Sequence, residues 1–507
     1  MSNTPDHGVN TQPQSPPPSE PPRSEGATSL ESTKFSGQQL ARGGAWTLLA
    51  FGLSQVLRLG STLVMTRLLL PDAFGVMAIV SSVLLGLSLF SDLGISTSIV
   101  QNARGAEVAF RHTAWTLQII RNTLLCGVAI ACAPLLDAAY PLYPGLTALI
   151  QVAALGGLIQ GFGSMAVVLL DRNLNVARKA LIDLVSQVIT VASMIVWATW
   201  DPSPWALVAG TLFGTVAQVV LGHVLCGSDR LRWEPESARA LLAWGKWAFV
   251  SSGLMFLAGQ ADRLLFGALV PAAMLGIYGL ALQLASLAPE LVTRLSGRIL
   301  FPALCRVSQL GEPLSETFAG CSRPMLLLGG WGLAGLSGGA EVMVELIYPD
   351  EYADAGWILR LLTIGMWFGV VMQGTRSIAL VASGNLRRTT LVTIAKLLGM
   401  LIFMPIGYQV AQFPGAITGY VLADVCRYAV AVWMSAPLHL SAWRVEVYLT
   451  CWVAISAYVG LTCAQFVKSM EMSVLWQCVA VFLSVSLLWS VEMARVLRNI
   501  RARLRRQ

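Results

Sequence analysis

The sequence predicts an all-α polytopic membrane protein with about fourteen transmembrane helices, on three observations. Charged residues make up only 12% of the 507-residue chain and hydrophobic residues 55%, with a mean hydropathy of +0.66. Soluble domains carry about 25% charged residues, so this chain has too little polar surface to face water on every side. Apolar runs of about 20 residues, the length that crosses a bilayer, cover nearly everything after residue 43. Finally, Lys and Arg recur on alternate connections, the signature of loops held on the cytoplasmic side.

The runs lie at roughly 44–68, 74–101, 112–134, 146–170, 180–200, 204–226, 245–270, 275–301, 323–348, 355–382, 388–411, 413–436, 445–466 and 472–497. Proline and turn residues interrupt them at Pro71-Asp72, Pro141 and Pro144, Asp201-Pro202, Pro271, Pro349-Asp350, Pro414-Gly415 and Pro437. Connections after even-numbered runs carry Arg104 and Arg111, then Arg172, Arg178 and Lys179, then Arg230, Arg232 and Arg239. Further on they carry Arg306, Arg387, Arg388 and Arg444. Connections after odd-numbered runs hold almost none, apart from Lys468 and the span-end Arg67, and the loop Asp350-Glu351-Tyr352-Ala353-Asp354 is acidic. The alternation puts both termini in the cytoplasm.

Residues 1–40 are a Pro/Ser-rich tail without an apolar run, hence a disordered segment and not a secretory signal. The expected layout is this tail, an N-lobe over 41–226, a cytoplasmic linker over 227–244 and a C-lobe over 245–436. A final helix pair over 437–497 and a basic cytoplasmic tail over 498–507 complete it. An internal repeat supports two six-helix lobes. Gly44-Ala45-Trp46 is echoed by Gly245-Lys246-Trp247, and Leu70-Pro71-Asp72-Ala73-Phe74-Gly75 by Val270-Pro271-Ala272-Ala273-Met274-Leu275-Gly276 with one residue inserted. The copies lie about six spans apart and enter the membrane in the same sense, so they are parallel repeats.

The net charge of +7 does not point to nucleic acid, because the basic residues are scattered over short loops. The nine cysteines lack metal-ligand spacing and the four histidines lie in no motif. There is no P-loop, HExxH or GxSxG, and the outer loops are too short to build a glycosyltransferase, polymerase or ligase site. The chain reads as a non-enzyme without a cofactor, driven by an ion gradient or by a partner reaction.

The stretch from Asp262 to Pro302 carries the most information. It runs Asp262-Arg263, then Gly276-Ile277-Tyr278, then Pro289-Glu290, Arg294 and Arg298, and ends Phe301-Pro302-Ala303-Leu304. Asp-Arg, Gly-x-Tyr and Phe-Pro in this order resemble the start of the C-terminal half of the oligosaccharide flippases. These form the polysaccharide-transporter (Wzx-like) branch of the multidrug/oligosaccharidyl-lipid/polysaccharide exporter superfamily. The resemblance covers about residues 41–440. It implies two lobes facing each other across a lumen lined by spans 1, 2, 7 and 8, and a bacterial inner-membrane location. It further implies translocation of undecaprenyl-diphosphate-linked oligosaccharide for exopolysaccharide, capsule or O-antigen assembly. Partners would then be membrane lipids, a coupling H+ or Na+, and a polysaccharide polymerase and glycosyltransferases, with no nucleic acid.

Charges inside spans are the candidate site, because an ionised group in hydrocarbon must face protein or a wet cavity. They include Arg58, Asp92, Arg121, Asp262, Arg263, Glu290, Arg294, Arg376, Lys396, Asp424 and Arg427. Carried over by span, the resemblance selects Arg58, Arg263 and Arg294 for substrate binding, where guanidinium forks match phosphate oxygens, and Asp92 and Glu290 for ion coupling. Structural readings stand beside these. Glu290/Arg294 and Asp424/Arg427 are spaced to pair on their own helices, Asp262 could neutralise Arg263, and Arg376 and Lys396 could be snorkels at a cytoplasmic end. Two rival functions share much of this pattern. A small-molecule or drug antiporter of the same superfamily should show more acid than base in its lumen, and a non-transporting scaffold of a polysaccharide-synthesis complex would tolerate loss of the lumen charges.

Overall fold

The computed structural model describes residues 37–90, 95, 98–99, 104, 107–143, 145–172, 176–440 and 443–504. Helices make up nearly all of them, and among the described residues there is no strand. The first lobe holds α1 (Gly37–Leu68), α2 (Pro71–Phe90), α3 (Val108–Ala139), α4 (Leu146–Gly161), α5 (Ala166–Arg172), α6 (Val176–Trp200) and α7 (Pro204–Cys226). The second begins with α8 (Pro235–Leu269) and α9 (Ala272–Leu295), which runs through a π turn into α10 (Phe301–Gln309). It continues with α11 (Leu314–Gly338), α12 (Ala340–Ile347), α13 (Ala355–Met366), α14 (Gln373–Ala382) and the long α15 (Leu386–Ser435). A terminal pair, α16 (Trp443–Ser469) and α17 (Val474–Leu504), packs on α11.

Nine described helices or helical runs are long and apolar enough to cross a membrane, so the chain is a multi-pass membrane protein. About fourteen spans is compatible with this set. Proline opens α2, α7 and α8, where a missing N–H and a fixed φ suit the first helical turn. In α15 the expected boundary near 411 is real: Ala411 and Gln412 leave helical geometry, Gln412 at φ +50°. The two halves then fold back on each other at glycines, and a Cβ on Gly407 would lie 2.1 Å from the Gly415 carbonyl oxygen.

The fourth span departs from expectation. The sequence reads as one run over 146–170, whereas the helix stops at Gly161 and resumes at Ala166. Side chains take up the freed carbonyls: Gln118 donates to Gly161 at 3.1 Å, and Trp115 donates to Phe162 at 3.3 Å. The following linker is pinned to the same place. Asp229 accepts from Arg111 at 2.6 Å, from the Met165 backbone at 2.8 Å and from Ser164 at 3.1 Å.

The lobes meet where α2 packs along α9 and α8. The repeated turn motifs supply the closest approach. A Cβ on Gly75 would sit 1.8 Å from the Ala272 carbonyl oxygen, and one on Gly276 would sit 2.0 Å from that of Pro71. Each glycine therefore seats against the opening turn of the other copy's helix. Tyr352 seals the same end by donating to the Leu69 carbonyl at 2.7 Å and meeting Phe74 edge-on. Tyr143 donates to the Val270 carbonyl at 3.1 Å, and burial pushes its phenol above the ordinary value, which keeps the donor protonated.

Several charges find partners that local spacing does not reveal. Arg376 and Lys396 do not snorkel; both are buried. Arg376 makes a two-pronged pair with Glu446 of α16, at 2.9 and 2.6 Å, and also donates to Ser435. Tyr428 adds a bond to the same carboxylate at 2.7 Å. Lys396 reaches Asp424 at 3.1 Å across the α15 fold-back, while Arg427 donates to the Gly369 carbonyl. Hydrocarbon offers no water to these groups, so each carboxylate is met by whichever cation the packing brings, not by its neighbour in sequence.

Arg376→Ala or Glu446→Ala strands the opposite buried charge and should cost about 3–5 kcal/mol. The expected readout is a lower melting temperature in detergent and less protein in the membrane, with Arg376→Met/Glu446→Leu together restoring much of both. Single variants as stable as the parent would contradict the pair. For the glycine crossing, Gly276→Leu should raise labelling of a Phe74→Cys thiol by a water-soluble reagent. Unchanged labelling would show that this contact does not close the lobes.

Candidate functional site

Two polar stripes face each other where α1 and α9 approach between the lobes. On α1, Gln55, Arg58 and Thr62 follow at three and four residues, so they share one helix face. On α9, Gln283, Ser286 and Glu290 repeat that spacing, and Arg294 lies one turn further. The stripes engage in register. Thr62 and Gln283 are 3.2 Å apart, Gln55 donates to Glu290 at 3.0 Å, and Arg58 approaches both Glu290 oxygens at 3.5 Å. Serines at the same level bond within the stripes or to the neighbouring helix, as Ser54 does to Gln187 of α6 at 2.8 Å.

The electrostatics of the Arg58–Glu290 pair differ from those of the buried pairs. Its side chains keep 43% and 34% of their surface exposed, against 3% and 1% for Arg376–Glu446. A long contact between half-exposed groups contributes about 0–1 kcal/mol. Such a pair holds the lobes weakly and can be exchanged for a better ligand at little cost.

A second cross-lobe contact involves α2 and α8. Gln260 accepts from Ser82 of α2 at 3.0 Å and from Arg263 at 3.2 Å. The adjoining Asp262 is buried and turns instead to Tyr278, whose hydroxyl donates to it at 2.6 Å. Of the sequence-selected residues, Arg58 and Glu290 are thus brought together, and Arg263 sits at the neighbouring lobe contact. Arg294 stands exposed on the α9 stripe. Asp92 lies outside the described residues.

Local pairing does not describe the two carboxylates that sequence spacing marked. Glu290 turns to α1 and Asp424 turns to Lys396. The glutamines Gln55, Gln260 and Gln283 escape a search for charges. A helical projection would have found them, because they repeat on the faces that carry Arg58, Arg263 and Glu290. Among the described residues no group of three or more His, Cys, Asp or Glu side chains is placed to hold a metal ion.

The fold is similar to solved transporters. Over 89% of this chain and 98% of the other, it matches the lipid II flippase MurJ in an inward closed conformation, with a TM-score of 0.70 at 10% identity. An inward-facing multidrug-resistance MATE family transporter of the MOP superfamily matches over 76% and 94%, with a TM-score of 0.61 at 14% identity. In sequence, the chain is 21% identical over 427 residues to the lipopolysaccharide biosynthesis protein WzxC of Escherichia coli (strain K12), covering 81% of this chain and 84% of that one. It is also 21% identical over 295 residues to the teichuronic acid biosynthesis protein TuaB of Bacillus subtilis (strain 168), covering 57% and 60%. The Wzx-like resemblance read from Asp262 to Pro302 points the same way. A family model described as polysaccharide biosynthesis protein matches residues 64–356, more than half of the sequence, and the chain belongs to that family.

Proposed function

We propose that this protein is a flippase, not an enzyme, that carries an undecaprenyl-diphosphate-linked oligosaccharide from the cytoplasmic to the outer leaflet of a bacterial inner membrane. The product would serve exopolysaccharide, capsule or O-antigen assembly, with a polymerase and glycosyltransferases as neighbouring partners. The observation that carries this reading is the exposed Arg58–Glu290 pair between the lobes, set opposite a close-packed glycine crossing. The family membership supports a role in polysaccharide assembly, and the likeness to a lipid II flippase supports the fold it requires.

The chemistry follows from exchange of partners. A diphosphate offers a guanidinium two oxygens in the plane of its fork, a better match than the 3.5 Å contact with Glu290. Arg58 turns from Glu290 to the substrate, with Arg263 and Arg294 adding positive charge nearby, while the polyprenyl tail stays in the bilayer. Glu290, released from its cation, becomes free to take up a proton or a sodium ion. Asp92 is the second candidate carrier. Binding and coupling are thereby joined at one carboxylate. Outward opening then requires the Gly75–Gly276 crossing to part, and the lobes rock as alternating access demands.

Arg58→Ala should leave membrane level nearly unchanged, because the pair it breaks is half exposed. Export of surface polysaccharide should fall about tenfold or more, the effect of losing one charge-assisted hydrogen bond, and lipid-linked oligosaccharide should accumulate inside. Arg58→Lys should recover part of the export. Glu290→Gln should keep substrate affinity and lose dependence on the ion gradient. Normal export by a stable Arg58→Ala/Arg263→Ala double variant would remove the lumen arginines from the mechanism and favour a scaffold. A drug antiporter would instead change the cell's sensitivity to cationic compounds and leave the polysaccharide untouched.

The orientation belongs to the same proposal and rests on the alternating loop charges. A reporter active only outside the inner membrane should be active when fused after Asp350 and silent after Arg388 or Arg498. Activity at either of the latter would overturn the placement of both termini in the cytoplasm.

A further inference from the structure

A groove opens on the second lobe where α16 packs beside α11 and α13. It holds about 340 Å³, and its lining includes Leu333, Ile364, Phe368, Val453 and Leu461 with Arg360 among them. Two contacts give it a direction. At one end the Trp367 indole donates to Thr450 at 3.0 Å. At the other, Gly338 meets Gly460, and a Cβ on Gly338 would lie 3.0 Å from the Gly460 Cα. α9 meets a different face of α11, with Ala288 against Gly332, so the groove is separate from the α1–α9 stripes. Its rim residues Ile364 and Tyr458 are exposed.

Length and chemistry both fit a lipid. The walls belong to the candidate spans Asp350–Ala382 and Trp443–Ser469, so they lie at membrane depth. From Thr450 to Leu461, α16 rises about 16 Å at about 1.5 Å per residue. One leaflet is half of a hydrocarbon core of about 30 Å, so the groove runs the depth of one acyl chain. Charge appears only toward the end that borders the acidic 350–354 loop. Arg360 lines the groove there, and Glu341 of the first turn of α12 stands 3.1 Å from its Nη2. Both side chains stay partly exposed, and neither Nη2 nor Nε of Arg360 makes a hydrogen bond. A guanidinium with unused donors, a carboxylate beside it and an apolar channel below together describe the negative of a zwitterionic phospholipid. The phosphate matches the guanidinium fork, and a primary ammonium brings three N–H donors to the carboxylate.

We propose that this groove binds one phospholipid with a phosphoethanolamine head, its phosphate on Arg360, its ammonium on Glu341 and one acyl chain between α13 and α16. The lipid bridges the terminal helix pair to the second lobe. A choline head carries no N–H for Glu341, and a glycerol head places no cation against it, so the site discriminates among membrane lipids. It stands whether or not the chain moves a carrier.

The test titrates the purified full-length protein in detergent with phosphatidylethanolamine, phosphatidylglycerol or phosphatidylcholine of identical chains, read by native mass spectrometry. The parent should bind phosphatidylethanolamine about tenfold more tightly than either of the others. Arg360→Gln should weaken that binding about tenfold, and Arg360→Lys should keep most of it. Glu341→Gln should abolish the preference over phosphatidylglycerol. Ala457→Phe narrows the groove and leaves both charges in place, and it should weaken binding as well; circular dichroism checks that each variant is folded. Equal binding of the three lipids by the parent would overturn the proposal, as would parental affinity in a folded Arg360→Gln or Ala457→Phe variant. Displacement of the bound phospholipid by an equal concentration of a polyprenyl phosphate would assign the groove to an isoprenoid tail and reject it too.

Discussion

The backbone contact between α2 and α9 is the constraint on which the rest of the molecule depends. Two helix starts approach until carbonyl oxygens occupy the space a methyl group would need, at Gly75 and again at Gly276. Dispersion between close-packed backbones is the main attraction available between helices in a bilayer, where lipid tails are as apolar as leucine. This crossing therefore holds one end of the two lobes together without any charge. The other end can then be polar and weakly joined, a condition for a cleft that opens and closes. Tyr352, Tyr143 and Phe74 thicken the closed end, each from a different part of the chain.

Charge is distributed to match. Inside the second lobe and its terminal helix pair, Arg376–Glu446 and Lys396–Asp424 are dry and short, and Tyr428 and Ser435 add polar partners to the first. Glu492 of α17 is also buried and accepts from Tyr448, while Arg323 and Arg495 beside it stay partly exposed. These groups set the packing of helices and would be costly to separate. Between the lobes the Arg58–Glu290 contact of the α1–α9 stripes is long and half exposed. Proteins that move need such contrast: rigid bodies whose internal charges are buried in close pairs, and an interface whose charges can change partner. The broken fourth span adds a third environment, in which Gln118 and Trp115 donate to carbonyls freed by the break.

Much of the fold was legible because membrane insertion reads simple features. Span length, proline breaks and loop charge lie in the sequence as one-dimensional patterns, and the Pro71/Pro271 repeat even marked the helix starts that meet. The partners of buried charges were not legible. Asp424 has Arg427 one turn away and Glu290 has Arg294, yet both carboxylates turn to other segments. Helix periodicity says which residues share a face, and tertiary packing decides what that face meets. The gap in the fourth span left a trace in Gly161-Phe162-Gly163-Ser164, but its meaning came from Gln118, Trp115 and Asp229, which lie far away in sequence. Similarly, Arg58 stood out as a charge in mid-span, whereas Gln55 and Gln283 gained significance only opposite it.

The central claim is that the protein itself moves a lipid-diphosphate-linked oligosaccharide across the bilayer. Reconstituting the purified full-length chain in liposomes whose inner and outer leaflets both contain that carrier tests it directly. An impermeant enzyme that cleaves the exposed sugar from outside should consume about half the carrier in empty liposomes and nearly all of it when the protein is present. Consumption that stops at half with correctly folded protein in the membrane would contradict the account.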